Sequence, residues 1–368
     1  MSNPLASVDA GAQALQLPVA WYVDPAIHAA EVESVFANAP AYVGHESMVP
    51  DQGSYHILDW KQEAWMLARD AGQVHLLSNV CRHRQALMLE GRGTVRNIVC
   101  PIHRWSYDLA GLQRAAPHFP ENPYRHLDRR PLGRWNGLLF EGRRDLAAEL
   151  DGFSMATQFD YSGYVYESTV VEDYPVNWKT FMEIYLELYH VEPFHSGLKG
   201  YVDCPAFEPA DWEFGESWSN QVMTLKRDVS GASEAYQRYY QLVTELRGRP
   251  PEHAALWFCL YPNLMLEWYP EALAVSFLLP TSASTTRNVV DLFYPADVVD
   301  GHREVVAAHQ AAYDESAAED RLIVERIDRG RQALFEQGGD DRGPYQQPLE
   351  DGMVHFHRWL RKQLADRV

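Results

Sequence analysis

Two short runs decide most of what this chain can become: Cys81-Arg82-His83 and, after sixteen intervening residues, Cys100-Pro101-Ile102-His103. Each offers one thiolate and one imidazole, so a fold that uses them must bring two separate loops to one inorganic centre. Two kinds of centre accept such a set. One is a [2Fe-2S] cluster whose thiolates hold one iron and whose neutral imidazoles hold the other, an arrangement that raises the reduction potential relative to an all-cysteine cluster. The other is structural zinc. Zinc ligand sets more often run Cys-x-x-Cys followed by paired histidines, so the alternating order favours the cluster. Four cysteines in 368 residues are too few for a disulfide scaffold, and the remaining two, Cys204 and Cys259, are read as inert buried thiols.

At 368 residues the chain exceeds the usual size of one hydrophobic core, and two domains are expected. A formal net charge of -19 argues against nucleic acid or an anionic membrane as partner. Met1 to Asp9 carries neither the basic start nor the apolar core of a signal peptide, and no apolar run is long enough to span a bilayer, so a cytoplasmic protein is expected. Residues 1–40 read as an N-terminal segment with an apolar helical pattern from Ile27 to Phe36. Residues 41–150 change texture to short apolar runs between glycine- and proline-containing turns, a small all-β domain that contains both Cys–His runs. Residues 151–368 alternate strand and helix patterns: strands over 164–171, 218–225, 256–260, 263–269, 273–280 and 288–294, helices over 233–247, 301–336 and 350–364. The order fits an α+β domain with a large antiparallel sheet and helices on one side.

A second constellation lies between Asn177 and His195. Glu183, Glu187 and His190 are spaced by four and three residues, which puts them on one face if the segment is helical. His190 and His195 stand about 140° apart around an undistorted helix and do not share a face. Pro193 disfavours helical backbone at Glu192, so the helix is expected to stop there and turn His195 back beside His190. The plainer alternative is two surface histidines at a helix end. In the long C-terminal helix, Asp320 falls in line with the apolar stripe of Tyr313, Ala317, Val324 and Ile327, whereas Glu319 aligns with Glu315, Ser316 and Arg326. A carboxylate on a buried face needs a partner, which separates Asp320 from an ordinary surface acid.

Taken in order, Cys81-Arg82-His83, the run from Cys100 to Gly111, Asn177-Trp178-Lys179 and the run from Glu187 to His195 resemble the oxygenase (alpha) subunit of the Rieske non-haem iron oxygenases, over nearly the whole chain. The resemblance implies a Rieske [2Fe-2S] domain held by Cys81, His83, Cys100 and His103. It implies a helix-grip catalytic domain around a mononuclear Fe(II) held by His190, His195 and an acid of the long helix, here Asp320 within Glu319-Asp320-Arg321-Leu322. Glu187 would bridge a cluster histidine of a neighbouring subunit, His83 or His103, to His190, in a homotrimer with intersubunit electron transfer. The resemblance also implies a separate NAD(P)H-dependent reductase, acting directly or through a ferredoxin, since no glycine-rich dinucleotide motif or plant-type cysteine cluster occurs in the chain. With O2, a small organic substrate would be hydroxylated or oxidatively demethylated. A glutamate at 187, where many members carry aspartate, is similar to the branch acting on choline- and carnitine-like compounds, so aromatic compounds and quaternary amines are the implied substrates. Two readings of other kinds stand beside this one: a Rieske-type electron carrier without oxygenase chemistry, and a zinc-stabilised helix-grip binding protein.

Two positions depart from the family's usual pattern. Arg104 stands where glycine commonly follows the second cluster histidine, and Ile184 where asparagine commonly follows the glutamate. Glycine permits a positive φ that arginine adopts less readily, so the second cluster loop is the place where shape is in question. Arg82, Arg84 and Arg104 would form a basic rim for an acidic neighbour or an electron donor. His355 and His357, two apart on an amphipathic helix, are expected to divide between surface and core and not to ligate metal. Trp212, Trp218, Tyr236, Phe258, Trp268 and Phe277 are expected to be core in preference to a cation–π cage.

Overall fold

The two Cys–His loops are built on the same backbone frame. In the computed structural model, which describes residues 15–39, 41–142, 145–150, 152–156, 158–204 and 212–365, Cys81 N–H donates to Ala86 O (2.9 Å) and Gln85 N–H to Cys81 O (3.1 Å). In the second loop Cys100 N–H donates to Trp105 O (2.8 Å) and Arg104 N–H to Cys100 O (3.1 Å). Gln85 and Arg104, equivalent in this frame, both take the left-handed conformation, with φ of 55° and 62°. Arginine thus keeps the loop shape that glycine would give, at a cost of about 1 kcal/mol. Arg104→Gly is expected to hold or raise the thermal midpoint by up to about 3 °C, the relief being partly offset by the freer unfolded chain. Arg104→Val, β-branched, is expected to lower it. Loss of cluster absorbance on heating reads both; a lower midpoint for the glycine variant would show that the arginine side chain supports the loop by contacts.

These loops belong to a compact unit of residues 40–168. Arg92–Thr94, Ser54–Ile57, Trp65–Asp70, Gln73–Ser78 and Arg129–Arg130 lie in that order in a five-stranded sheet; one three-stranded sheet, of Ala41–His45, Leu132–Trp135 and Leu138–Glu141, flanks it in sequence, and another, of Ile98–Val99, Ser106–Tyr107 and Gln113–Ala115, is inserted between Thr94 and Arg129. Ile57, Met66, Leu77, Ile98, Trp105 and Tyr107 form the core together with Cys81 and Cys100. The sulfurs are therefore rooted in apolar packing, while His83 is half-buried and His103 exposed.

Among the described residues, the other unit combines 15–39 with those from 169 to 365. Glu31 of the helix Pro25–Ser34 accepts from Lys179 Nζ (2.6 Å) and Trp178 Nε1 (2.8 Å), with Glu31 and Lys179 both fully buried. The sheet comprises β1 (Tyr164–Tyr174), β2 (Val202–Asp203), β3 (Trp212–Phe214), β4 (Trp218–Leu225), β5 (Ala255–Leu260), β6 (Leu264–Tyr269), β7 (Ala272–Ser282) and β8 (Thr285–Pro295). Its order is β1-β8-β7-β6-β5-β4-β2, with β3 also on β4. From β4 to β8 it is an antiparallel meander, and one row of directly opposed residues, Gln221, Trp257, Glu267, Ala274 and Leu292, crosses it on one face.

Five helices matter to the site: α1 (Trp178–Ile184), α2 (Val191–Phe194), α3 (Glu234–Arg247), α4 (Arg303–Glu336) and α5 (Asp351–Leu364). The expectation that one helix carries Glu183, Glu187 and His190 on a single face is corrected here: α1 ends at Ile184 and Glu187 lies in the following turn. Tertiary hydrogen bonds take the backbone that would have continued the helix, with Leu186 O accepting from Met353 N–H (3.0 Å) and Leu188 N–H donating to Leu349 O (2.9 Å). Gly352 permits that approach, since a Cβ there would lie 2.5 Å from Leu186 O. Pro193 does not cause the stop. It sits inside the short α2, in a first turn where its missing N–H costs no intrahelical bond.

Glu183 consequently points away from His190, into a buried junction. It accepts from Tyr22 OH (2.5 Å) and Arg331 Nη2 (2.8 Å) and meets His357 Nε2 (2.9 Å). Burial alone would raise its carboxyl, but Arg331 and His357 outweigh that and hold it at about 2. His357 is fully buried and His355 half-buried, and neither approaches a metal-ligand set. Along α4 the stripe holds through Val324 and then passes to buried Asp328, leaving Ile327 exposed, because a straight helix continues from Val324 by four residues. Asp328 accepts from Asn177 N–H (3.0 Å) and Thr180 Oγ1 (2.9 Å), which fixes the start of α1.

Candidate active site

At the cluster loops, the rings of His83 and His103 lie 4.6 Å apart between centroids, and His83 stacks on Trp105 at 4.9 Å and 10°. His83 Nδ1 is buried without a hydrogen-bond partner, and Cys81 Sγ lies 3.7 Å from Tyr107 OH. Burial pushes the Cys81 thiol up. A thiol held up by burial loses its proton only against a cationic centre, and the imidazole nitrogen beside it has its lone pair or proton unclaimed, so the set fits a mixed-ligand cluster.

The second centre is assembled from the turn after α1, from α2 and from α4. His190 Nε2 and His195 Nε2 lie 3.1 Å apart, with Asp320 Oδ1 at 3.6 Å from the first and 3.1 Å from the second. The far nitrogen of each ring faces a carboxylate: His190 Nδ1 meets Glu187 Oε1 at 2.5 Å, and His195 Nδ1 meets Glu319 Oε2 at 2.8 Å. A carboxylate only accepts, so each Nδ1 carries the proton and each Nε2 presents a lone pair to the common point. Two lone pairs and a carboxylate oxygen with no hydrogen-bond partner then converge on one spot, which is untenable unless a cation occupies it. A proton can serve as that cation as well as a metal can: burial pulls the His190 imidazole down, yet Asp320 and Glu187 hold it up at about 10, so the site favours positive charge. Two histidines and one carboxylate with open positions suit non-haem iron(II).

An inner cavity of about 440 Å³ adjoins this centre, lined by His190, His195 and Asp320 together with Tyr236, Trp257, Glu267, Tyr269 and Tyr313. An outer cavity of about 660 Å³ shares Ile184, Tyr185, Tyr313, Ala317 and Asp320 with it and adds Glu172, Asp314 and Arg321. Glu267, 3% exposed in the middle of β6, accepts from Tyr269 OH (2.6 Å) and Tyr313 OH (3.2 Å). Burial raises its carboxyl to about 7 against those hydrogen bonds.

All the residues picked out for metal binding thus fall into two groups, Cys81, His83, Cys100 and His103 in one unit and His190, His195 and Asp320 in the other, with Glu187 against His190. Two acidic side chains at the centre escape sequence reasoning. Glu319, assigned to a solvent-facing row, holds His195 and also accepts from Ser196 N–H (3.2 Å) and Ser196 Oγ (2.8 Å). Glu267 was detectable as the lone charge in the apolar run Leu264 to Tyr269, where an acid at a buried alternate position needs a reason. Ile184, in place of the usual asparagine, lines both cavities and makes them more apolar. Of the six aromatic residues expected to be core, only Tyr236 lines a cavity beside the centre; Trp218, Phe258 and Phe277 are buried in packing.

A cluster domain of two thiols and two imidazoles, followed by a sheet-and-helix domain with a two-histidine, one-carboxylate centre, defines an oxygenase that receives electrons through an iron–sulfur cluster. The model of the Rieske [2Fe-2S] domain matches residues 39–127, and that of the ring hydroxylating alpha subunit (catalytic domain) matches residues 160–366. The chain belongs to the Rieske non-haem iron oxygenases, as an oxygenase (alpha) subunit with a [2Fe-2S] cluster and a mononuclear iron. It is 48% identical to a putrescine 2-hydroxylase from Ralstonia nicotianae over 98% of this chain and 99% of that protein. It is 26% identical to the chloroplastic choline monooxygenase of Beta vulgaris over 95% of this chain and 77% of the other. A solved structure of a quaternary ammonium Rieske monooxygenase, described in connection with carnitine oxidation and inter-subunit electron transfer, shares the fold, with TM-score 0.73, 19% identity and 95% of each chain covered. The electron-carrier and zinc-stabilised alternatives fall with this assignment. Among the described residues no helix is long and apolar enough to cross a membrane.

Proposed function

We propose that the chain is the terminal oxygenase of a multicomponent system that hydroxylates a short aliphatic diamine of the putrescine class. The observation that carries this is the 48% identity to putrescine 2-hydroxylase across both full lengths; a primary diamine lies in neither class, aromatic or quaternary, expected from sequence. The inner cavity supports it. With Asp320 engaged by the metal, Glu267 is the acidic group left in its lining, and neither lysine nor arginine lines it, so it offers one partner for an ammonium group.

On this reading Cys81, His83, Cys100 and His103 hold the cluster, and His190, His195 and Asp320 hold the iron. When bound, that iron supplies the activation of dioxygen. Glu187 and Glu319 orient the two imidazoles and keep their protons on Nδ1, while Ile184, Leu198 and Trp257 keep water from the reacting carbon. One oxygen atom enters a C–H bond and the other leaves as water, consuming two electrons and two protons. The electrons come from a separate NAD(P)H-dependent reductase, directly or through a ferredoxin, and exposed Arg84 and Arg104 at the cluster loops suit an acidic donor. A homotrimer with intersubunit transfer through Glu187 is supported by apolar side chains left exposed at both centres: Ile102 beside His103, and Tyr189 and Phe194 beside His190.

The test is a single turnover of reduced holoenzyme with isotopically labelled dioxygen. Putrescine is expected to gain one labelled oxygen atom, while choline, a carnitine-like betaine and an aromatic carboxylate return unchanged. Turnover of one of those with none of putrescine would overturn the diamine reading and leave the oxygenase class standing.

A further inference from the structure

Among the described residues, Glu267 is a buried carboxylate in the substrate cavity with no cationic partner. Its direct neighbours across the strands are Trp257 on β5 and Ala274 on β7, so it projects from the same face as Trp257 into the space beside the metal centre. Several neighbouring carboxylates do face a cation or an imidazole: Glu187 and Glu319 the two imidazoles, Glu183 Arg331 and His357, Glu31 Lys179. Phenolic hydroxyls from Tyr269 and Tyr313 reach one oxygen each, Tyr185 adds a third phenol to the carboxylate's partners, and none of the three compensates its charge. A carboxylate has about four lone-pair sites, so three phenols leave room for a further donor. Removing such a charge from water is costly unless a cation meets it. The wall around it consists of Trp257, Tyr236 and Tyr269, rings that favour a cation over their faces, and Ala274 opposite adds no bulk.

We propose that Glu267 is the anchor for a substrate ammonium group: it receives one –NH3+ of the diamine between its carboxylate and the hydroxyls of Tyr269 and Tyr313, and so sets which carbon faces the iron. The assignment rests on the diamine reading above. It differs from a merely structural role because the complement to the charge arrives with the substrate. It also explains how a site in a family that includes choline monooxygenase can take a primary amine, which offers three N–H donors where a quaternary ammonium offers none.

The experiment compares putrescine with butane-1,4-diol, a neutral molecule of matching chain length, in equilibrium binding to the full-length holoenzyme, with turnover measured in parallel. Wild type is expected to bind the diamine at least about 30-fold more tightly than the diol, as the loss of a buried charge partner predicts. Glu267→Gln should shrink that ratio to a few-fold with cluster absorbance and iron content unchanged, and Glu267→Asp, which keeps the charge, should restore most of it. A wild type that hydroxylates putrescine but binds the diol equally well overturns the anchor without any variant. The same holds if Glu267→Gln keeps the full ratio, or lowers kcat with putrescine affinity untouched; in each case the diamine reading stands. A wild type that neither binds nor hydroxylates putrescine overturns that reading and takes the anchor with it.

Discussion

Asp320→Ala is expected to abolish turnover and strip the mononuclear iron while leaving the cluster spectrum intact. Asp320 Oδ1 is the sole carboxylate oxygen among the three converging ligand atoms, and it reaches the centre from α4, whereas both histidines come from the turn and the short helix after α1. Alanine leaves two neutral imidazoles and removes the one negative ligand. A direct ligand costs more than the roughly 10–100-fold that losing an outer hydrogen-bond partner costs in metal affinity. The cluster loops belong to the other compact unit. The readout is iron against acid-labile sulfide, a ratio expected to fall from about 3:2 to about 1:1. Full iron retention would sink the assignment of Asp320, and loss of sulfide together with iron would mean that the variant fails by unfolding.

That Asp320 could be singled out at all follows from the regularity of α4. A 34-residue helix keeps phase, so a carboxylate placed among Tyr313, Ala317 and Val324 is legible as buried. The strands β4 to β8 were legible for a similar reason, since a short apolar run is a local property and their observed limits differ from expectation by no more than three residues. What escaped is what depends on a second element. The end of α1 at Ile184 is set by hydrogen bonds to Leu349 and Met353, more than 160 residues away, and nothing in the local pattern announces them. Glu319 looked solvent-facing because α4 was read as having one buried face. Its side chain turns aside to His195 and Ser196, which arrive from α2 and its flank. Glu183 was drawn into the candidate site by its spacing from Glu187, yet its partners come from the N-terminal residues, α4 and α5. Spacing identifies which residues can share a face; it does not identify what that face meets.

Glu187→Gln is expected to keep both metals and lose turnover by about 100-fold, the upper end for a group that acts through a ligand. Glu187 holds His190 twice, through Oε1 to Nδ1 and through Oε2 to the backbone N–H at 3.0 Å. Glutamine preserves the volume and one acceptor, so His190 stays in place and the three ligand atoms still converge. It removes the negative charge that makes His190 a stronger donor, and it replaces an acceptor oxygen with an amide that cannot take a hydrogen bond from a cluster histidine of a neighbouring subunit. If Glu187 lies on the electron path, reduction of the cluster by its donor is unaffected, while oxidation of the cluster in a single turnover becomes slow. Glu319→Gln supplies the contrast, because Glu319 makes the equivalent hydrogen bond to His195 and also holds Ser196 in its own chain. Its loss should weaken iron binding and reduce turnover by no more than about tenfold, with the rate of cluster oxidation per iron-loaded site near wild type. Equal effects of the two variants on cluster oxidation, each in proportion to lost iron, would mean that Glu187 only orients its imidazole. Unequal effects, with slow cluster oxidation confined to Glu187→Gln at full iron occupancy, separate a conducting carboxylate from a supporting one even though both make the same bond to a histidine.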